Sequence, residues 1–270
     1  SQGGYVAMAT HRALQETGDT VTASAPMSGP YALSAFSDAI FQGQVTGASP
    51  VNLTLLITSY QNAYGNLYSS TTDVYEAQYA TDIETLLPST TPLGELEDQG
   101  KLPDTALFSS TPPDPAYADM TPATTPSYQA PVFATGFGTD HLLTNDFRLA
   151  YLQDADSNPD GGFPTLLDGS PPANPEHPLR QALKINDQRA WTPTSPLLLC
   201  AGNADPAVLY LNTELMQNYW SSATTVTVLD IDSAVASDDP YEAQKIGFAA
   251  AKALVELTGG DTEVLENYHA

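Results

Sequence analysis

The segment Pro196-Leu197-Leu198-Leu199-Cys200-Ala201-Gly202-Asn203-Ala204-Asp205-Pro206 decides the architecture. Its first half is an unbroken apolar run, the pattern of a strand covered on both faces. Its second half is small and turn-forming. Further along, residues 209–220 read as a helix. Thr224-Thr225-Val226-Thr227-Val228-Leu229-Asp230-Ile231 alternates and is rich in β-branched residues, so it reads as a strand. Residues 241–257 form a second helical stretch, ended by Gly259-Gly260. At the other end of the chain, Val6-Ala7-Met8-Ala9-Thr10-His11-Arg12-Ala13-Leu14 reads as a mostly buried helix, with Gly18 as its stop. Residues 20–25 lean towards β structure until Pro26 and the Gly29-Pro30 turn. Strands alternating with helices predict the α/β class with a parallel sheet.

Between residues 36 and 191 the texture differs. Proline and Ser/Thr clusters alternate with stretches that read as helix, at 53–67, 74–87, 140–155 and 177–191, and residues 111–131 read as a Pro-rich loop. Period-2 alternation is missing here, so a large, mainly helical insertion is expected. The chain therefore divides into a core of residues 1–35 and 192–270 and an insertion of residues 36–191. Three strands, near 20–25, 196–201 and 224–231, cannot cover both faces and both edges of a parallel sheet. The chain is expected to be the C-terminal half of a larger domain, its sheet completed by an N-terminal segment or another chain.

Composition narrows the function classes. The 270 residues are 41% hydrophobic, enough for a packed core. Eight Lys and Arg stand against 32 Asp and Glu, a net charge of −24. Such a chain repels phosphate backbones and lacks a basic patch for anionic lipid, so neither nucleic acid nor an anionic membrane surface is an expected partner. No apolar run approaches the roughly 18 residues of a membrane span. The lone Cys200 lies in the apolar run and reads as a buried, inert thiol. An acidic, Lys-poor surface suits an extracellular or saline setting.

Three segments carry a resemblance. Ser1-Gln2-Gly3-Gly4, leading into an Ala-rich helix, resembles the downstream half of the G-x-S-x-G nucleophile elbow of the α/β-hydrolase fold. Gly202-Asn203-Ala204-Asp205-Pro206-Ala207-Val208, after an apolar strand, resembles the acid loop of that family. The terminal Tyr268-His269 resembles the end of some bacterial secreted hydrolases of this fold, as do the stretches 186–193 and 212–220. The resemblance implies a Ser–His–Asp triad of Ser1, His269 and Asp205, with the backbone N–H of Gln2 in the oxyanion hole. It implies an esterase or lipase-like serine hydrolase acting on a small-molecule or lipid ester through an acyl-enzyme, without cofactor, and secreted or periplasmic. The insertion would be a cap over the acyl pocket. One departure stands out: the loop of residues 232–241, the usual place for the histidine, contains none.

Other readings stay open beside this one. Asp205 could be only a turn or helix-capping residue, since Asp-Pro before a helix is common. A free Ser1 α-amine could replace the histidine as base, or the chain could be a non-catalytic binding protein that keeps the fold. His11 reads as structural, His177 as a loop residue, and His141 as a possible pocket residue. From Asp156, the run Asp156-Ser157-Asn158-Pro159-Asp160-Gly161 matches the opening of a calcium loop, but position twelve is Leu167. Asp156, Asn158 and Asp160 are thus the candidate calcium ligands, against a plain solvated loop. Asn52-Leu53-Thr54 has the glycosylation pattern. Tyr60, Tyr64 and Tyr68 recur at helical spacing, as a docking face or an aromatic lid.

Overall fold

The computed structural model describes residues 2–269. In chain order the elements are α1 (Gln2–Thr17), α2 (Leu33–Phe41), α3 (Ser49–Tyr64), α4 (Ile83–Leu86), α5 (Leu93–Asp98), β1 (Phe108–Ser109), α6 (Ala130–Thr135), β2 (Phe137–Gly138), α7 (Asn145–Ser157), α8 (Pro178–Asn186), β3 (Leu197–Ala201), α9 (Leu211–Trp220), β4 (Val226–Asp230) and α10 (Glu242–Asn267). They form two compact units, one of residues 1–36, 165–171 and 186–270, the other of residues 37–164 and 172–185.

The first unit is built on β3. β3 and β4 pair in parallel, from Leu197 opposite Val226 to Ala201 opposite Asp230. The other side of β3 carries two isolated parallel bridges, Ser24 to Leu197 and Met27 to Cys200. The strand expected over 20–25 is thus replaced by a sparser ladder shifted along the chain. Pro26, which has no N–H to donate, stands between the two bridges. Along β3, Leu197, Leu199 and Ala201 are buried while Leu198 and Cys200 are half-buried. The apolar run is therefore covered more completely on one face than on the other.

Helix α1 buries Gly4, Met8 and His11, spaced as one face of a helix. Gly4 is there because the backbones nearly touch. A β-carbon on it would collide with the carbonyl oxygen of Met27 and lie 3.0 Å from the Gly29 backbone. Met27 in turn bridges Cys200, the penultimate residue of β3. The first turn of α1 therefore lies at the carboxyl end of β3. Helix α10 runs further than the expected 241–257. It is interrupted at Gly260 (φ 75°, ψ −171°), where the Gly-Gly stop was read.

The second unit is helical apart from β1 and β2, a parallel ladder of two residues each. Its centre is aromatic and ionic. The rings of Phe41 and Tyr151 stack at 3.6 Å, and Arg148 lies over Phe108, donating to the carbonyls of Phe41 and Met120. Arg180 is buried between two carboxylates, 2.8 Å from Asp38 and 2.8 Å from Asp154. The Tyr151 hydroxyl completes the cluster by donating to Asp38 at 2.7 Å.

Two expectations for this unit fail. The stretch 74–87 is not one helix: after a 3-10 turn at Thr71–Asp73, only the single turn α4 forms within it. Nor do the three tyrosines share a helix face. Gly65 caps α3 in the left-handed region at φ 69°, so Tyr68 falls beyond the helix. The Tyr68 hydroxyl donates to Glu84 instead.

Candidate active site

The turn after β3 fixes Asp205, which is buried. Its Oδ1 accepts the backbone N–H groups of Ala207 (2.9 Å) and Val208 (3.0 Å). Its Oδ2 lies 2.6 Å from Nδ1 of His269. The two readings of Asp205, turn former and partner of an imidazole, are therefore both true, one for each oxygen. An ionised carboxylate can only accept, so in this pairing Nδ1 of the imidazole carries the proton and donates it. The lone pair then belongs to Nε2, the nitrogen a general base uses. The His269 side chain is 19% exposed, within reach of a reactant yet shielded enough for the pairing to hold.

Tyr268 seats the tail that carries His269. Its hydroxyl donates to Oδ2 of Asp232 at 2.7 Å and accepts the Ala204 N–H at 3.3 Å. Lys252 donates to the same Asp232 oxygen at 2.7 Å, and its ammonium stands 5.3 Å from the centre of the Tyr268 ring. Burial, reinforced by the Asp232 carboxylate, pushes the Tyr268 hydroxyl well above its ordinary range, so it stays protonated and able to donate. Gly202 leaves the room for this: a β-carbon there would collide with the Tyr268 hydroxyl and ring. Sequence reading quoted Tyr268 only in the Tyr-His resemblance, without a role, and passed over Asp232 and Lys252. The only available signal was the Tyr-His dipeptide itself, because the contacts join residues distant along the chain.

Ser1 lies outside the described residues. Gln2 opens α1, so its N–H is one of the first four of a helix, which have no intrahelical acceptor.

The other candidates are placed elsewhere. His11 is buried, with Nδ1 3.0 Å from the Ser24 hydroxyl and its ring edge-on to Trp191. His141 meets Glu76 at 3.2 Å. His177 is buried edge-on against Phe147 and Tyr151, and burial lowers its pKa to about 4. Burial, then Asp230, raises the Cys200 thiol above its ordinary range, in keeping with an inert role.

The three calcium candidates each contact a protein group. Asp156 accepts from the Tyr117 hydroxyl, Asn158 donates to Asp154, and Asp160 accepts the Gly162 N–H. Among the described residues no three His, Cys, Asp or Glu side chains are grouped to hold a metal ion. In the glycosylation pattern, Thr54 is buried inside α3 and donates to the Pro50 carbonyl. No helix among the described residues is long and apolar enough to cross a membrane.

Solved structures share the fold of the chain. A rice cell wall degrading esterase, LipA, from Xanthomonas oryzae matches with a TM-score of 0.58 at 21% identity, over 97% of this chain and 57% of that one. A second structure of the same esterase gives 0.59 at 23% identity, over 94% and 55%. A ligand-bound form gives 0.58 at 22% identity. No protein-family model and no curated protein matches the chain. The chain has a partial α/β fold like part of that α/β-hydrolase esterase, and spans little more than half the length of the structures it resembles.

Proposed function

We propose that the protein is a serine hydrolase that cleaves carboxylic esters. The observation that carries this reading is the pairing of His269 Nδ1 with buried Asp205 Oδ2 at 2.6 Å. An oriented imidazole with its other nitrogen free for proton transfer is what a serine hydroxyl needs to become a nucleophile. The start of α1, directly after Ser1, lies at the carboxyl end of β3, the same end from which the Asp205 loop departs. In α/β sheets that end is where reactive groups gather. The esterase neighbours support the same chemistry.

In this mechanism the Ser1 hydroxyl oxygen attacks the ester carbonyl while His269 Nε2 takes its proton. The N–H of Gln2 helps hold the developing oxyanion. Collapse expels the alcohol, which receives the proton from His269, and leaves an acyl-enzyme. Water, deprotonated by the same imidazole, releases the acid and restores Ser1. Asp205 stabilises the imidazolium of each step without itself taking the proton. The pair supplies a base, so the Ser1 α-amine is not needed as one. An acidic, Lys-poor chain acting on small-molecule or lipid esters fits a secreted or periplasmic enzyme.

A fluorophosphonate probe tests this directly. Labelling of the intact protein at Ser1 that disappears in Ser1→Ala is the expected result. No labelling of the folded protein would favour a binding protein that keeps the fold.

The same reading includes an N-terminal segment or another chain that completes the sheet and covers α1. Val6, Leu14 and Met27 are exposed, and Val6, Ala9, Ala13 and Leu14 line a shallow apolar groove along that helix. Lysine at positions 6 and 14 should destabilise the whole protein if such a segment is seated there, and leave it unchanged if the groove faces water.

A further inference from the structure

We infer that Tyr268 is the positioning residue for His269, latching the chain's tail to the acid loop so that the imidazole meets Asp205. The inference rests on the catalytic reading of that pair. Adjacent residues 204 and 205 hold adjacent residues 268 and 269: the Ala204 N–H donates to the Tyr268 hydroxyl, and Asp205 pairs with His269. The two contacts form successive rungs between the acid loop and the tail.

The latch is braced from three more directions. Asp232, just past β4, accepts from the Tyr268 hydroxyl at 2.7 Å, and Lys252 on α10 donates to the same oxygen. The Phe248 and Tyr268 rings pack roughly perpendicular, with their centres 5.3 Å apart. The face over Gly202 is open only because that residue has no side chain. His269 lies two residues past α10 and beyond its break at Gly260, so the helix itself does not place the imidazole. The 232–241 loop lacks a histidine, yet it contributes through Asp232, which holds the residue next to the base.

Two readouts on the intact protein test this. One is ester turnover; the other is the far-downfield proton resonance expected of an imidazole N–H held 2.6 Å from a carboxylate, assigned by its loss in His269→Gln. Tyr268→Phe, which keeps the ring and removes the hydroxyl, should lower kcat by roughly ten- to a hundredfold with KM within about twofold. It should also broaden or abolish the resonance. Asp232→Asn should act in the same direction, and combining the two should add little, because they remove one contact. Tyr268→Phe with wild-type kcat and an intact resonance overturns the inference, whatever happens to thermal stability. If the parent protein turns over no ester, the catalytic reading fails, and the resonance alone still decides whether Tyr268 places His269.

Discussion

Asp205 and His269 are 64 residues apart in the chain and 2.6 Å apart in space. The pairing uses one carboxylate oxygen, while the other is fully occupied by the turn after β3. The turn therefore presents the acid in one fixed orientation, with no freedom for the carboxylate to swing away from the ring.

That division of labour separates two substitutions. Asp205→Asn retains an acceptor for the Ala207 and Val208 amides but offers the ring no anion, and the wrong imidazole tautomer results. Ester turnover should fall by roughly 10⁴-fold with little change in melting temperature. Asp205→Ala should lose as much activity and also about 1 kcal/mol of stability, as the turn loses its acceptor. Steady-state kinetics and urea unfolding of both variants check this.

In the second unit, Arg180 separates two buried carboxylates and satisfies both. Arg180→Met leaves Asp38 and Asp154 without their counter-charge in a dry site. A destabilisation of about 3–5 kcal/mol is expected, measured by denaturant unfolding.

His177 should contribute to acid sensitivity of the fold. Burial holds its folded-state pKa at about 4, below the 6.5 of a free histidine. Asp154 nearby acts to raise it and Arg180 to lower it, and neither overcomes burial. Between those two values the unfolded chain binds the proton and the folded chain does not. The contribution is therefore fully present above about pH 6.5 and is lost as pH falls towards 4, reaching roughly 3 kcal/mol. His177→Gln should flatten this part of the stability–pH curve relative to the parent protein.

Much of the first unit was legible from local pattern. β3, β4 and α9 fall where apolar runs, β-branched alternation and helical spacing placed them, although in β4 only Leu229 is buried. The Gly259-Gly260 break was also readable, although helical geometry resumes after it. Failures came where one residue overrode a pattern. Gly65 ended α3 before Tyr68 could join the tyrosine stripe. Pro26 thinned the ladder beside β3, and the stretch after Val74 dissolved into turns. Asp205 could be picked out because a strand led to it. The tail latch could not, since nothing local to Tyr268 encodes Ala204, Asp232 or the space above Gly202.

The most direct test of the hydrolase account is p-nitrophenyl ester turnover by His269→Ala beside His141→Ala, both in the intact protein. The account predicts that the first loses roughly a thousandfold or more in kcat and the second keeps its activity. Full activity in His269→Ala would contradict it.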